Sequence, residues 1–429
     1  MKEKNNLQVT IVGGGMITHD QILPSIYQLQ RLGIISEINI SALNAAPLKF
    51  LAESEEIKKA FPESGFKSFP DFNEEPLDRN FPDLFKEVIE KMPPYQAVVV
   101  AVPDQLHYGV LKIALENNQN VLCVKPLVLK YSQAMEIERL AYDRGLVIGV
   151  EYHKRFDYRS LIARRRYRNG EFGEFKVGQA RLIEPWYYRH SNFQNWCTIE
   201  NSDMFSYIAC HYVDLVHFIT GLLPVEVSVK GIVEKYPNGR EGFLYTDGRV
   251  IWNNRACLNV QNALGYPDQA PGGNSQGMML FCQGEGDIGG HIDHHDSFRG
   301  VKHSTTPKVR NEKTKYYHET NPDFVQYIEN GGEGLAPAGY GYRSIEGIIT
   351  AITRSNKAAM GLTGEEALKK RREMIKTIDK EGLIATPANS AFNELVMEAG
   401  RLSVMNDGRD VIIEYGENAG VRFKEYPDY

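Results

Sequence analysis

The chain has 429 residues, of which 42% are hydrophobic and 24% charged, with a formal net charge of −6. That length predicts two domains with an extension rather than one. The acidic balance gives no basic field for nucleic acid and no attraction to an anionic membrane. Five cysteines without a Cys-x-x-Cys pair argue against a disulfide framework and a zinc knuckle. No window approaches eighteen consecutive apolar residues, and the polar start MKEKNNLQ lacks the pattern of a secretory signal. A cytoplasmic protein without nucleic-acid or membrane partners is expected.

Val9–Val12 reads as a short apolar strand followed by glycines. From Gln21 to Leu32, Ile22, Ile26, Leu29 and Leu32 recur at helical spacing. Glu37–Leu43 reads as a second strand, and 47–60 as a helix with Pro47 in its first turn. Gln96–Val102, QAVVVAV, is apolar throughout, as in a strand buried on both faces. A helix over 104–116, the strand Val121–Val124, a helix over 132–144 and the strand Val147–Val150 follow. Strand and helix in strict rotation predict a parallel, doubly wound α/β sheet over 1–150.

After Tyr152 the rotation ends. A helix over 157–168, a strand in FKVGQARLIEP, a helix over 203–220 and successive strand-like stretches to about Lys315 follow. They predict an α+β domain on a largely antiparallel sheet, residues 151–362, with a helix returning over 343–359. An open sheet face is an unstable thing to leave wet, so a homodimer or homotetramer is expected. Residues 363–429 read as a helical extension: Thr363 and Glu366 have capping-box spacing, Gly382 is a stop, and DVIIEY is a strand. No motif assigns that segment a role.

The stretch VTIVGGGMITHD places Gly13 and Gly15 in the first two positions of G-x-G-x-x-G, with Thr18 at the third. The first glycine permits a tight turn and the second lets backbone approach a pyrophosphate, which then lies at the helix N-terminus beside Met16 and Ile17. Lying between a first strand and a first helix, the loop predicts dinucleotide binding. The second strand ends near Asn44 instead of an acid. Asparagine can bond a ribose hydroxyl and nothing nearby clamps a 2′-phosphate, so NAD is expected, with NADP the alternative.

The stretches VGGGMITH, VVVAVPDQLHYGVLKIALENNQNVLCVKP, EYHKRFD and CHYVDLVHFITG, in that order, resemble the Gfo/Idh/MocA family of glucose–fructose oxidoreductase and inositol dehydrogenase relatives. The resemblance covers roughly 7–230 and implies a Rossmann domain plus an open-faced sheet, and oxidation or reduction of a carbinol of a sugar or cyclic polyol. It implies that Lys125 is the lysine of the Glu-Lys-Pro signature, with Val124 replacing the glutamate. Pro103 and His107 match a loop near the nicotinamide ribose, and Lys154 a substrate-contacting base. His211 matches the catalytic histidine and Asp214 the aspartate three residues on, an expected substrate contact. Tyr207 stands where many relatives have an aspartate one turn before the histidine.

Hydride transfer from a carbinol needs its hydroxyl proton removed, and a group titrating near working pH does this best. His211 is the expected acid/base, Lys125 the electrostatic partner and proton relay, and Tyr207, four residues before His211, the substrate orienter. In Glu184–Trp196, EPWYYRHSNFQNW, Trp186 and Arg189 are candidate substrate contacts, since aromatic faces stack on sugar rings; a core strand and loop would also explain the run. In GGHIDHHDSFRG, strand alternation puts His291, Asp293 and His295 on one face and His294 and Asp296 on the other. A polar strand explains them better than a metal site, and no metal is expected. Rival readings are an NAD-dependent redox-assisted glycosidase or lyase, and a non-catalytic sugar- or NAD-sensing regulator.

Overall fold

In the computed structural model, which describes residues 7–73, 76–266, 275–295, 304–305, 317–318, 324–330 and 332–426, six strands form a parallel sheet. They are β1 (Leu7–Val12), β2 (Ile35–Ser41), β3 (Lys67–Phe69), β4 (Ala97–Val100), β5 (Asn120–Val124) and β6 (Ile148–Glu151), in spatial order β3-β2-β1-β4-β5-β6. The central strands are apolar on both faces because each face carries its own helices. Val9, Ile11, Val99 and Leu122 pack with Ile22, Ile26 and Leu29 and with Ile345, Ile348 and Ile352 of the helix Tyr340–Ala358. Val98, Val100, Val121 and Cys123 face the other way, onto Val110 and Leu111 of the helix His107–Glu116 and Ile137 of the helix Tyr131–Arg144.

The second sheet has eight strands: β7 (Glu174–Pro185), β8 (Pro224–Lys235), β9 (Glu241–Trp252), β10 (Cys257–Tyr266), β11 (Ser275–Gln283), β12 (Gly289–His295), β17 (Val411–Glu414) and β18 (Gly420–Phe423). Their order is β12-β11-β7-β10-β9-β8-β17-β18, and β7 with β10 is the single parallel pair among them. The short pairs β13 (Ser304–Thr305) with β14 (Tyr317–His318), and β15 (Gln326–Glu329) with β16 (Leu335–Ala338), complete the strands described. One face packs onto the helices Cys210–Thr220 and Phe392–Val404. The other is open: Val177 and Phe281 are 51% and 47% exposed, and a hollow of about 550 Å³ there is lined by Gln179, Arg181, Asp247, Gln261 and Met279.

Three local expectations change. The 47–60 helix is two, Ala46–Glu53 and Glu55–Ala60, because the Ser54 side chain accepts the Ile57 N–H and starts a new helix. The Thr363–Glu366 capping box does not form: Thr363 makes no side-chain cap, and Gly364 takes φ +56°, away from a regular first turn. Residues 363–429 are also more than a helical extension. Ile378 of the helix Gly364–Glu381 enters the core of the parallel sheet, while Leu395, Val396, Val411 and Ile413 belong to the core of the second sheet.

Candidate active site

The glycine turn leaves β1 between β4 and a helix that opens as a π turn, Thr18–Ile22, before becoming the α-helix Leu23–Arg31. Gly13 has φ +117°, and a Cβ there would stand 2.0 Å from the Ala101 carbonyl oxygen, so only glycine permits this turn. A Cβ at Gly15 would meet no atom within 4 Å. That open space faces first-turn N–H groups, Met16 and Ile17 among them, which have no intrahelical acceptor by geometry. Room and free donors together fit a dinucleotide pyrophosphate. Thr18, the departure from glycine, donates its hydroxyl to the Gly13 carbonyl at 2.8 Å and so closes the loop itself. Asn44 lies just past β2, its amide bonded to Asn80 at 3.1 Å, where a ribose hydroxyl would be read.

At the end of β5, Lys125 is 9% exposed, and its peptide to Pro126 is cis. The ammonium donates to the Tyr207 carbonyl and sits 3.4 Å from the centroid of the Tyr207 ring. That ring packs edge-on against Phe193 at 4.7 Å and Trp196 at 5.5 Å. Tyr188 continues the aromatic row, and Tyr187, stacked on it at 4.3 Å, meets the Met16 sulfur at 3.5 Å through its hydroxyl. The second domain thus reaches across to the glycine turn. Burial pushes the Tyr207 hydroxyl well above the usual phenol range, so it stays protonated.

Two neighbours of Lys125 come from the loop after β4. His107 is fully buried, its Nδ1 2.7 Å from the Pro126 carbonyl and its Nε2 2.9 Å from the Val102 carbonyl. Both ring nitrogens are engaged with backbone, so His107 pins the turn rather than presenting itself to a ribose. Asp104, next to Pro103, is 5% exposed with Oδ2 lacking a hydrogen-bond partner. Burial raises its pKa, and the charges of His107 and Lys125 oppose that rise. Sequence reasoning missed this carboxyl because an aspartate opening a helix reads as a cap.

His211 follows a second π turn, Phe205–Ala209. The extra residue in that turn shifts the register, so Tyr207 is turned onto Lys125 while His211 faces the chain beyond β6. Its ring lies 4.6 Å from that of His153. His153 Nδ1 is 3.1 Å from Glu151, whose other oxygen accepts from Gln21 at 2.7 Å and Ser344 at 2.5 Å. Tyr340 stacks on the far side of His153 at 5.3 Å. Lys154, 2% exposed, donates to Gln276 at 2.7 Å. Burial above all, then His153, Lys125 and Lys154, hold the His211 imidazole well below the usual histidine range. It is therefore a neutral imidazole at pH 7, able to take a proton.

The fold brings Lys125, Tyr207, His211 and Lys154 together, and adds His153 and Glu151. Those two were missed because a histidine two residues beyond a strand carries no pattern. Asp214 is elsewhere: its carboxylate takes Arg155 in a bidentate pair at 2.7 and 2.6 Å, both residues being nearly inaccessible. A buried carboxylate so occupied is structural, not a substrate contact. Arg189 bonds the Leu264 carbonyl, Glu234 and Tyr245, with Trp186 over its guanidinium at 5.1 Å. Of that loop it is Tyr187, not Trp186 or Arg189, that reaches the glycine turn. In the histidine strand, His294 pairs with Asp157 at 3.3 Å and His295 with Asp293 at 3.0 Å, while Asp296 lies outside the described residues. Among the described residues no group of three or more His, Cys, Asp or Glu is placed to hold a metal.

Residues 7–152 match the family described as "Oxidoreductase family, NAD-binding Rossmann fold". The 2,7-anhydro-N-acetylneuraminate hydratase of Mediterraneibacter gnavus is 25% identical over 241 residues, 53% of this chain and 62% of that protein. The D-glucoside 3-dehydrogenase of Escherichia coli is 28% identical over 134 residues, 30% of this chain and 37% of its own. The matches span less than two thirds of these relatives' lengths. The scyllo-inositol dehydrogenase of Lactobacillus casei, solved with NAD(H) and scyllo-inositol, superposes with a TM-score of 0.54 at 16% identity, covering 90% of this chain and 100% of that one. At that identity it speaks for the fold: a parallel nucleotide-binding sheet joined to a broad second sheet.

Proposed function

We propose that the protein, whose residues 7–152 match the NAD-binding Rossmann model of the Gfo/Idh/MocA oxidoreductases, is an NAD-dependent dehydrogenase or reductase acting on a carbinol or ketone of a sugar, glycoside or cyclic polyol. The observation that carries this reading is the convergence of a lysine ammonium and a neutral imidazole at the carboxyl end of the parallel sheet whose first strand leads into the glycine turn. The nicotinamide, when bound, accepts or gives the hydride. The residues deal with the proton and the charge. In the oxidation direction, neutral His211 takes the hydroxyl proton as the carbon–hydrogen bond breaks. Lys125, held by the Tyr207 carbonyl and ring, donates a hydrogen bond to the oxygen as it becomes negative. The Tyr207 ring offers the ammonium a π face where the family resemblance implies a carboxylate, and the Asp104 carboxyl lies buried nearby. Lys154 and Gln276 are placed to bond substrate hydroxyls.

The reading includes a cytoplasmic setting, consistent with five free thiols, and a homodimer or homotetramer joined through the open face that carries Val177 and Phe281. Sugars, glycosides and inositols supplied with NAD or NADP, followed by absorbance of the reduced cofactor, test the activity. No turnover with any of them, or wild-type turnover in both Lys125→Ala and His211→Ala, would defeat it.

A second reading, an NAD-dependent redox-assisted lyase or glycosidase without net redox, is favoured by Tyr207 in place of an acid and by the hydratase among the relatives. Product release without accumulation of reduced cofactor distinguishes it from the first.

A further inference from the structure

The C-terminal stretch 363–429 carries no motif, yet its helix Phe392–Val404 touches both halves of the candidate site. On one side the Glu394 carboxyl lies beside the backbone amides of Leu127 and Val128. One turn later, Glu398 Oε1 accepts the Tyr131 N–H at 2.6 Å. These three amides belong to the chain that leaves Lys125 and Pro126 and enters the next helix. On the other side Asn393 Nδ2 donates to Asp214 at 3.1 Å, and Asn389, in the preceding short helix Pro387–Ser390, accepts from Arg155 at 3.0 Å. Asp214 lies one turn beyond His211 on its helix, and Arg155 lies two residues beyond His153. Glu394 and Asn393 are 1% and 0% exposed, so neither side chain serves the surface. One oxygen of Glu394 makes no hydrogen bond, and its own amide faces the carboxyl along with those of Val128 and Leu127.

Resting on the hydride-transfer reading of Lys125 and His211, we infer that the helix Phe392–Val404 is a positioning clamp. Glu394 and Glu398 hold the turn that aims Lys125. Asn393, with Asn389, holds the Arg155–Asp214 pair beneath His211. One rigid helix thereby sets the distance between the two groups that act on the substrate oxygen. Such residues touch neither substrate nor cofactor, and a displacement of about 1 Å at a reacting group costs on the order of a hundredfold in rate. Removing a buried acceptor also strands the amide it satisfied, as at Tyr131.

The test uses the full chain with Glu394→Ala, Glu394→Gln and Glu398→Ala beside Lys125→Ala and His211→Ala. It reads steady-state kinetics, and hydrogen exchange at the Leu127, Val128 and Tyr131 amides without cofactor. Expected in Glu394→Ala is a kcat lower by roughly ten- to a hundredfold with KM within about twofold, together with lost protection of Leu127 and Val128. Glutamine keeps the carbonyl acceptor and restores both. Glu398 is half-buried, so its alanine variant folds even if Glu394→Ala does not, and it loses protection at Tyr131. Wild-type kcat and protection in Glu394→Ala and Glu398→Ala, with Lys125→Ala and His211→Ala inactive, overturn the clamp and leave the activity reading standing. Turnover surviving in Lys125→Ala and His211→Ala instead removes that reading, and the clamp with it.

Discussion

The ammonium of Lys125 rests over the ring of Tyr207, 3.4 Å from its centroid, while donating to the carbonyl of the same residue. One tyrosine thus holds the lysine by both main chain and side chain, and the hydroxyl contributes to neither contact. Tyr207→Phe is expected to keep kcat within about threefold, because the ring remains. Tyr207→Leu is expected to lose roughly tenfold, in line with a cation–π contact of about 1–2 kcal/mol. Steady-state kinetics of the two variants checks this.

His211 is held well below the ordinary histidine range, first by burial and then by His153, Lys125 and Lys154. The base form is therefore present throughout the neutral range, and kcat/KM for oxidation should fall only at pH values below about 6.5. His153→Asn removes the largest charge opposing protonation of His211. Its acid limb should move to higher pH, as read from the pH profile of kcat/KM.

Burial pushes Glu394 up to about 8, with its own amide and those of Val128 and Leu127 opposing the rise and nearby Asp214 adding to it. Between pH 4.5 and 8 the unfolded chain binds fewer protons at this site than the folded one. The associated stability is fully present below pH 4.5 and is lost as pH rises toward 8, with a slope of up to about 1.4 kcal/mol per pH unit. Glu394→Gln cannot titrate, so its stability relative to wild type should grow across that window in urea melts.

Arg155 and Asp214 form a bidentate pair with side chains only 2% and 1% exposed. Asp214→Ala leaves a buried guanidinium without its counter-charge, which costs about 3–5 kcal/mol. Chemical denaturation should show that loss, whereas a substrate-contact role would instead raise KM without a change in stability.

The two loop glycines should separate folding from binding. Gly13→Ala meets the Ala101 carbonyl and a φ of +117°, so its melting temperature should fall. Gly15→Ala meets no protein atom within 4 Å. It should melt like wild type but bind NAD more weakly, by roughly tenfold or more, in a fluorescence titration.

What periodicity can report is the local rule each segment obeys. QAVVVAV reads as a two-faced buried strand because Val98 and Val100 enter one core and Val99 the other. Lys125 is legible because a cation after such a strand is out of place. The π turn before His211 is not, since a one-residue change in helix register leaves no compositional trace, and it separates Tyr207 from the face expected for it. Asp214 looks functional by its spacing from His211, but its partner Arg155 comes from another part of the chain. Equally hidden are Glu151, His153 and Asp104, whose meaning depends on burial and on neighbours distant in sequence.

The core of the parallel sheet includes Ile345, Ile348, Ile349, Ile352 and Ile378, which are translated long after the strands they cover. A chain emerging from the ribosome therefore carries Val9, Ile11 and Val99 with that face only partly covered until the 340–378 stretch has followed. The nucleotide-binding unit is not a free-standing piece that could be shed or borrowed intact. A cut or a stalled ribosome between residues 152 and 340 would release a species with a bare apolar face, a client for chaperones and proteases rather than a small nucleotide-binding protein.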